Sequence, residues 1–199
     1  MNFPLRVMWT MRVMLLLLVT AAVAYADLPD PQLMRPVLLQ DDAACAIFAR
    51  CPTRKVLPEE DLAQAGDLLR ADRVELAAAR GEREQVQLVL RPADTLAGLD
   101  LRFSALSGPG RIPAEAWSWD RVAYTNVRRG SYHYGLSTNQ RGLLPDPLEP
   151  AGAFGAPAAS NTTLLLTIEV PRGTPPGAYS GSVTVEGGGF AATVPVALT

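Results

Sequence analysis

Histidine occurs once in the 199 residues, at His133, and cysteine twice, at Cys45 and Cys51. A zinc site needs more ligands than these can supply. The remaining candidates, carboxylates, never approach the spacing of an acidic calcium loop. No metal and no cofactor is expected. Clustered basic charge is also missing, which argues against nucleic acid as a partner. The one long apolar run, Val13–Ala24, is about a dozen residues against the roughly 20 that a membrane span requires. Pro and Gly together number 33 of 199 residues, short of the roughly 25–30 per cent that marks low-complexity disorder. There is no internal repeat.

Arg6 and Arg12 precede the apolar run, and Ala24-Tyr25-Ala26 closes it with a small-x-small exit ahead of Asp27. This order predicts a signal peptide over residues 1–26 and a secreted or extracytoplasmic protein without stable membrane insertion after cleavage. Without those two arginines the chain carries 16 Lys+Arg against 20 Asp+Glu, a formal charge of −4. The 173 residues that remain suit one domain with a sizeable core.

Closely spaced prolines at 29, 31, 36 and 52 predict an irregular segment over 27–57. Within it Cys45 and Cys51, in an exported chain, are expected to form a disulfide closing a small loop, stabilising by roughly 2 kcal/mol at most. Pro58-Glu-Glu-Asp-Leu62 starts the only short helix expected, running through Leu69 and weakened by Gly66. Asn161-Thr162-Thr163 is a glycosylation sequon in a eukaryotic host.

Beyond the short helix, within a sandwich domain expected over residues 58–199, the apolar period becomes two. Val86, Leu88 and Leu90 alternate with Gln85, Gln87 and the less polar Val89; Leu99, Leu101 and Phe103 with Asp100 and Arg102; and Leu164, Leu166, Ile168 and Val170 with Thr163, Leu165, Thr167 and Glu169. Tyr179, Val183 and Val185, then Phe190, Val194, Val196 and Leu198, complete the pattern. Gly187-Gly-Gly189 reads as a hairpin turn between the last two, and Pro195 predicts an edge position or a bulge. Short alternating strands with almost no helix predict an all-β antiparallel sandwich of immunoglobulin or jelly-roll type.

Motifs for chemistry are weak. Gly135-Leu-Ser137-Thr-Asn139 lacks the second glycine and the strand–helix setting of a nucleophile elbow, so Ser137 and His133 carry no hydrolase. Trp117 and Trp119 share one face of a strand, with Tyr132 and Tyr134 following. They are carbohydrate-contact candidates, although aromatics at such spacing more often pack a core. In Gly142-Leu-Leu-Pro-Asp-Pro-Leu-Glu-Pro150, Asp146 and Glu149 sit roughly 10 Å apart on one extended connector. Two acids on one connector do not flank a bond, so they read as part of a stiff segment.

Three phrases, residues 75–92, 142–150 and 163–185, together resemble the N-terminal β-sandwich domain of glycoside hydrolase family 123. The residues that carry the resemblance are Arg80, Glu82, Glu84 and Gln87; Pro145, Asp146, Pro147 and Leu148; and Pro171, Gly177, Tyr179 and Gly181. The resemblance implies a fold and, elsewhere, an activity: hydrolysis of terminal β-linked N-acetylgalactosamine from glycans by an adjacent Asp-Glu pair on a following barrel. This sequence has no Asp-Glu dipeptide, so architecture carries over and no catalytic residue does. The barrel is expected to be absent from this chain, leaving a shortened product or a free-standing domain. The expected role is a non-catalytic accessory sandwich, inactive alone, whose partner is a C-terminal catalytic barrel or a glycan. The alternatives are a secreted lectin-like module and a structural or adhesive one.

Overall fold

The computed structural model describes residues 35–128, 132–133, 136–137 and 142–199, with side chains for all but the four between 132 and 137. In chain order the strands are β1 (Val37–Asp41), β2 (Cys45–Arg50), β3 (Leu69–Arg70), β4 (Val74–Leu76), β5 (Arg83–Pro92) and β6 (Leu96–Phe103). Then come β7 (Leu106–Ser107), β8 (Arg111–Ile112), β9 (Trp117–Val127), β10 (Tyr132–His133) and β11 (Leu136–Ser137). β12 (Gly142–Pro150), β13 (Phe154–Ala156), β14 (Thr162–Glu169), β15 (Tyr179–Gly187) and β16 (Phe190–Leu198) complete the set.

Two sheets enclose one core. The first has the order β12-β9-β14-β5-β2-β1-β3, and the second β13-β6-β15-β16-β4, with β7 on β15 and β8 on β7. The all-β sandwich is therefore present, and its period-two strands meet across the core as the alternation requires. Val86, Leu88, Leu164, Leu166 and Ile168 from the first sheet face Leu99, Leu101, Val183, Val185 and Val194 from the second. Gly188 and Gly189, at φ +58° and +84°, make the two-residue hairpin between β15 and β16; both positive φ values suit the primed turn that matches strand twist. Pro195 lies where β16 has β15 on one side only, because β4 begins its pairing at Val196.

Three expectations are corrected. The segment 27–57 is not irregular throughout: β1 and β2 lie within it and are interior to the first sheet. Their sequences, VLLQD and CAIFAR, show no clean alternation because the sheet is covered on both faces there. Val37, Ile47 and Ala49 enter the main core, while Leu38 and Phe48 join Val56, Leu62 and Val89 in a second cluster on the outer face. The helix expected over 58–69 is a single 3-10 turn, Leu62–Gln64, and a second such turn spans Ala114–Ala116. Strand pairing is not wholly antiparallel, since β1–β3 and β4–β16 run parallel at one edge of each sheet. The long crossover that β1–β3 needs is supplied by β2 and residues 51–68.

Residues 51–68 form a strap laid over the outer face of the first sheet. They bury Val56 and Leu62 completely against Phe48 and Val89. The free sheet edges are short or proline-bearing: β3, β4 and β13 have two or three residues, and β12 carries Pro145, Pro147 and Pro150. Edges of this kind resist pairing with another chain.

Candidate interaction surface

The candidate sugar-contact tryptophans are core residues. Trp117 and Trp119 are each 7% exposed. Trp117 stacks on Phe103 with centroids 5.2 Å apart and planes 7° from parallel. Trp119 meets Phe154 edge-on at 5.5 Å. Trp117 still borders an open hollow of about 490 Å³ beside the Arg83–Glu169 ion pair, and its indole N–H has no acceptor among the described residues. Its stacked face is nonetheless occupied by Phe103, so no flat aromatic surface is offered to a sugar. Tyr132 is placed only as backbone in the β10–β11 hairpin, and Tyr134 lies outside the described residues.

Cys45 and Cys51 are free thiols, which corrects the expected disulfide. They sit at the start of β2 and just beyond its end, six residues apart. An extended strand separates such positions by about 20 Å, whereas a disulfide holds Cα atoms within about 7 Å. Burial pushes the Cys45 thiol up to about 11. A thiol reagent at neutral pH is therefore expected to label Cys51 in the folded protein and to reach Cys45 only after denaturation; two cysteines that stay blocked after denaturation and react only once a reductant is added would contradict this.

Asn161 is 2% exposed and structural. Its Nδ2 donates to the carbonyls of Leu57 at 2.8 Å and Glu60 at 2.7 Å, and its Oδ1 accepts from Arg91 Nη1 at 3.3 Å. An amide nitrogen so engaged is not open to glycosylation in the folded domain, so the sequon does not mark a surface site. Asn161 belongs instead to the clasp that holds the strap. Arg50 Nη1 meets Glu60 Oε1 at 2.6 Å, and Glu60 Oε2 accepts from the Leu57 backbone N–H. Tyr124 Oη donates towards the Val56 and Asn161 carbonyls; burial raises its pKa.

The resemblance residues resolve mostly into structural roles. Gln87 Nε2 donates to the carbonyls of Cys51 and Arg54 at 2.7 and 2.8 Å, pinning the start of the strap. Glu82 accepts from the Ala79 backbone N–H at 2.6 Å and closes the turn into β5. Glu84 pairs across to Ile168 within the sheet. Tyr179 donates from its hydroxyl to the Pro175 carbonyl at 2.7 Å, fixing the corner into β15. Gly177 has φ +139°, and a Cβ there would lie 2.6 Å from Pro109; at Gly181 it would lie 2.5 Å from Leu106. Arg80 is exposed beside a 240 Å³ cavity near Thr199, and Pro171 borders the hollow near Trp117.

β12, the strand formed by the Pro-Asp-Pro-Leu phrase, is different. It pairs with β9 from Gly142↔Val127 to Pro150↔Asp120, with a bulge between Pro145 and Leu148. Leu143, Pro145 and Leu148 are the partners of Asn126, Tyr124 and Val122 on the outer face of β9. Without the bulge, Leu148 would have pointed to the opposite face. Leu57, Leu143 and Leu148, at 38%, 52% and 50% exposure, are the large apolar side chains most exposed among the described residues. All three border the gap between the strap and β12. Two hollows occupy it. One, of about 500 Å³, lies between Leu57–Glu60 and Gly142–Leu143. The other, of about 270 Å³, lies between Pro52–Lys55 and Pro145–Leu148, floored by Gln87, Val122 and Leu165. Glu149 is tied to Arg121 across the β9–β12 pair, and Asp146 stays exposed. The two acids are thus not a facing pair.

Comparison with known proteins agrees with this architecture. Residues 63–187 match the family described as Glycoside hydrolase 123 N-terminal domain. A family 123 glycoside hydrolase from Clostridium perfringens, solved in work on glycolipid glycan hydrolysis, superposes with a TM-score of 0.66 at 16% identity, covering 78% of this chain and 27% of that one. AvmM, described as catalysing macrocyclisation in alchivemycin A biosynthesis, aligns at TM-score 0.33 and 9% identity over 63% of this chain and 83% of its own. A PapD-like domain of human CEP192 aligns at 0.29 and 13% over 64% and 80%; neither of these two supports an assignment. A search among curated proteins finds no match. With the family match covering well over half of its residues, the chain belongs to the glycoside hydrolase 123 N-terminal domain family.

Proposed function

We propose that this protein is a non-catalytic accessory sandwich of an exported family 123-like glycosidase, serving to pack against and position other parts of that protein. The observation that carries the reading is the distribution of its apolar surface. The two tryptophans that would grip a sugar, Trp117 and Trp119, are in the core, while the exposed leucines gather on one face around the strand of the Pro-Asp-Pro-Leu phrase. A concentrated apolar patch with a polar margin is the signature of a contact face. Export is supported by the order of charges and apolar residues over 1–26. The lectin-like reading loses its main support with Trp117 and Trp119.

The reading predicts a surface effect without a folding effect. In a longer family 123 protein carrying this domain, Leu143→Asp with Leu148→Asp is expected to leave the sandwich's unfolding midpoint within about 2 °C, as surface changes usually do. The attached remainder should lose thermal half-life or glycosidase activity severalfold. Unchanged activity and half-life in the double variant would count against the proposed role.

A further inference from the structure

The gap between the strap and β12 is chemically asymmetric. Arg54 and Lys55 stand at the smaller hollow, and among the described residues neither makes an ion pair. Asp146 across from them offsets one of the two charges. Glu59 and Glu60 stand at the larger hollow, and Arg50 already neutralises Glu60. The groove is therefore positive at one end, negative at the other, and apolar between. Leu143 and Leu148 are spaced about 16 Å apart along β12.

We infer that this groove receives an extended peptide segment, apolar in its middle, with a carboxylate at the Arg54–Lys55 end and a cation at the Glu59 end. The inference rests on the accessory reading above and specifies the chemistry of the partner. A segment of about seven residues spans the two leucines and both charged ends. Among the described residues no aromatic side chain lines either hollow, so these residues supply none of the stacking that holds a sugar. β12 cannot take on another strand in register, because Pro145, Pro147 and Pro150 lack the N–H that strand addition needs. Recognition is consequently by side chains in the two hollows, with opposite end charges setting direction.

The test uses the mature chain and fluorescent nine-residue peptides with leucines in the middle. Two carry an aspartate pair at one end and a lysine pair at the other, in the two chain directions; controls carry aspartates or lysines at both ends. By anisotropy, one mixed-charge direction is expected to bind at least tenfold tighter than the other three, and Leu148→Asp to remove that advantage. Arg54→Glu with Lys55→Glu should shift preference to the peptide with lysines at both ends, an outcome that damage to the fold does not produce. Equal binding of all peptides, an unchanged preference after charge reversal, or saturable binding of glycans at the groove would overturn the inference. Such a failure in a chain that hydrolyses nothing leaves the accessory reading standing; hydrolysis by a chain that does bind the peptide would remove that reading alone.

Discussion

Trp119→Ala is expected to destabilise the domain by about 3–5 kcal/mol, the usual cost of deleting a large buried aromatic. The side chain is 7% exposed and lies edge-on to Phe154, bridging β9 of the first sheet and β13 of the second. Against a typical total of about 5–15 kcal/mol, this is a large fraction of stability. Urea unfolding followed by circular dichroism reads it directly. Trp119→Phe should recover a substantial part, because it keeps an aromatic edge against Phe154. A Trp119→Ala variant as stable as the parent would mean that the indole is on the surface, and would revive the sugar-platform reading.

Asn161→Ala should cost about 1–3 kcal/mol. The substitution removes the shorter hydrogen bonds to the Leu57 and Glu60 carbonyls, which keep the Glu60 N–H at 3.2 Å and Arg91 at 3.4 Å, and takes an acceptor from Arg91; losing partners of this kind costs about 1–3 kcal/mol in all, with partial relief from water. The damage should be local first. The strap loses its grip while Arg50–Glu60 and Gln87 still hold part of it, so limited proteolysis should cut within 51–68 well before global unfolding. Asn161→Asp should be worse than Ala despite the nearby arginine, because a carboxylate would face two carbonyl oxygens. Equal proteolysis of variant and parent would show that the clasp does not hold the strap.

Legibility in the sequence followed the number of faces each strand buries. β6, β15 and β16 bury one face, and β14, though buried on both faces over Thr162–Leu166, keeps Thr163, Thr167 and Glu169 at its outward positions, so their period-two patterns place them directly. β1 and β2 are covered on both faces, so Leu38 and Phe48 blur the alternation that would have announced them. Only the strap explains Val89 and Leu165, apolar residues at positions the alternation assigns to solvent; Val89 packs beneath Val56 and Leu62. Asn161 reads as a sequon because its sequence neighbours give no hint of the carbonyls at residues 57 and 60, about a hundred positions earlier. The two cysteines looked close because six residues is a short interval; the strand between them holds them apart. The Pro-Asp-Pro-Leu phrase was legible as a stiff element. That its bulge turns Leu143 and Leu148 to the same face was not, since a bulge depends on the partner strand.

The most direct measurement is release of p-nitrophenol from p-nitrophenyl N-acetyl-β-galactosaminide by purified residues 27–199 at micromolar concentration. The account predicts a rate indistinguishable from the buffer blank, in a protein shown to be folded by its cooperative unfolding. Turnover at about 1 per second or faster, within the ordinary enzymatic range, and persisting through re-purification, would contradict it.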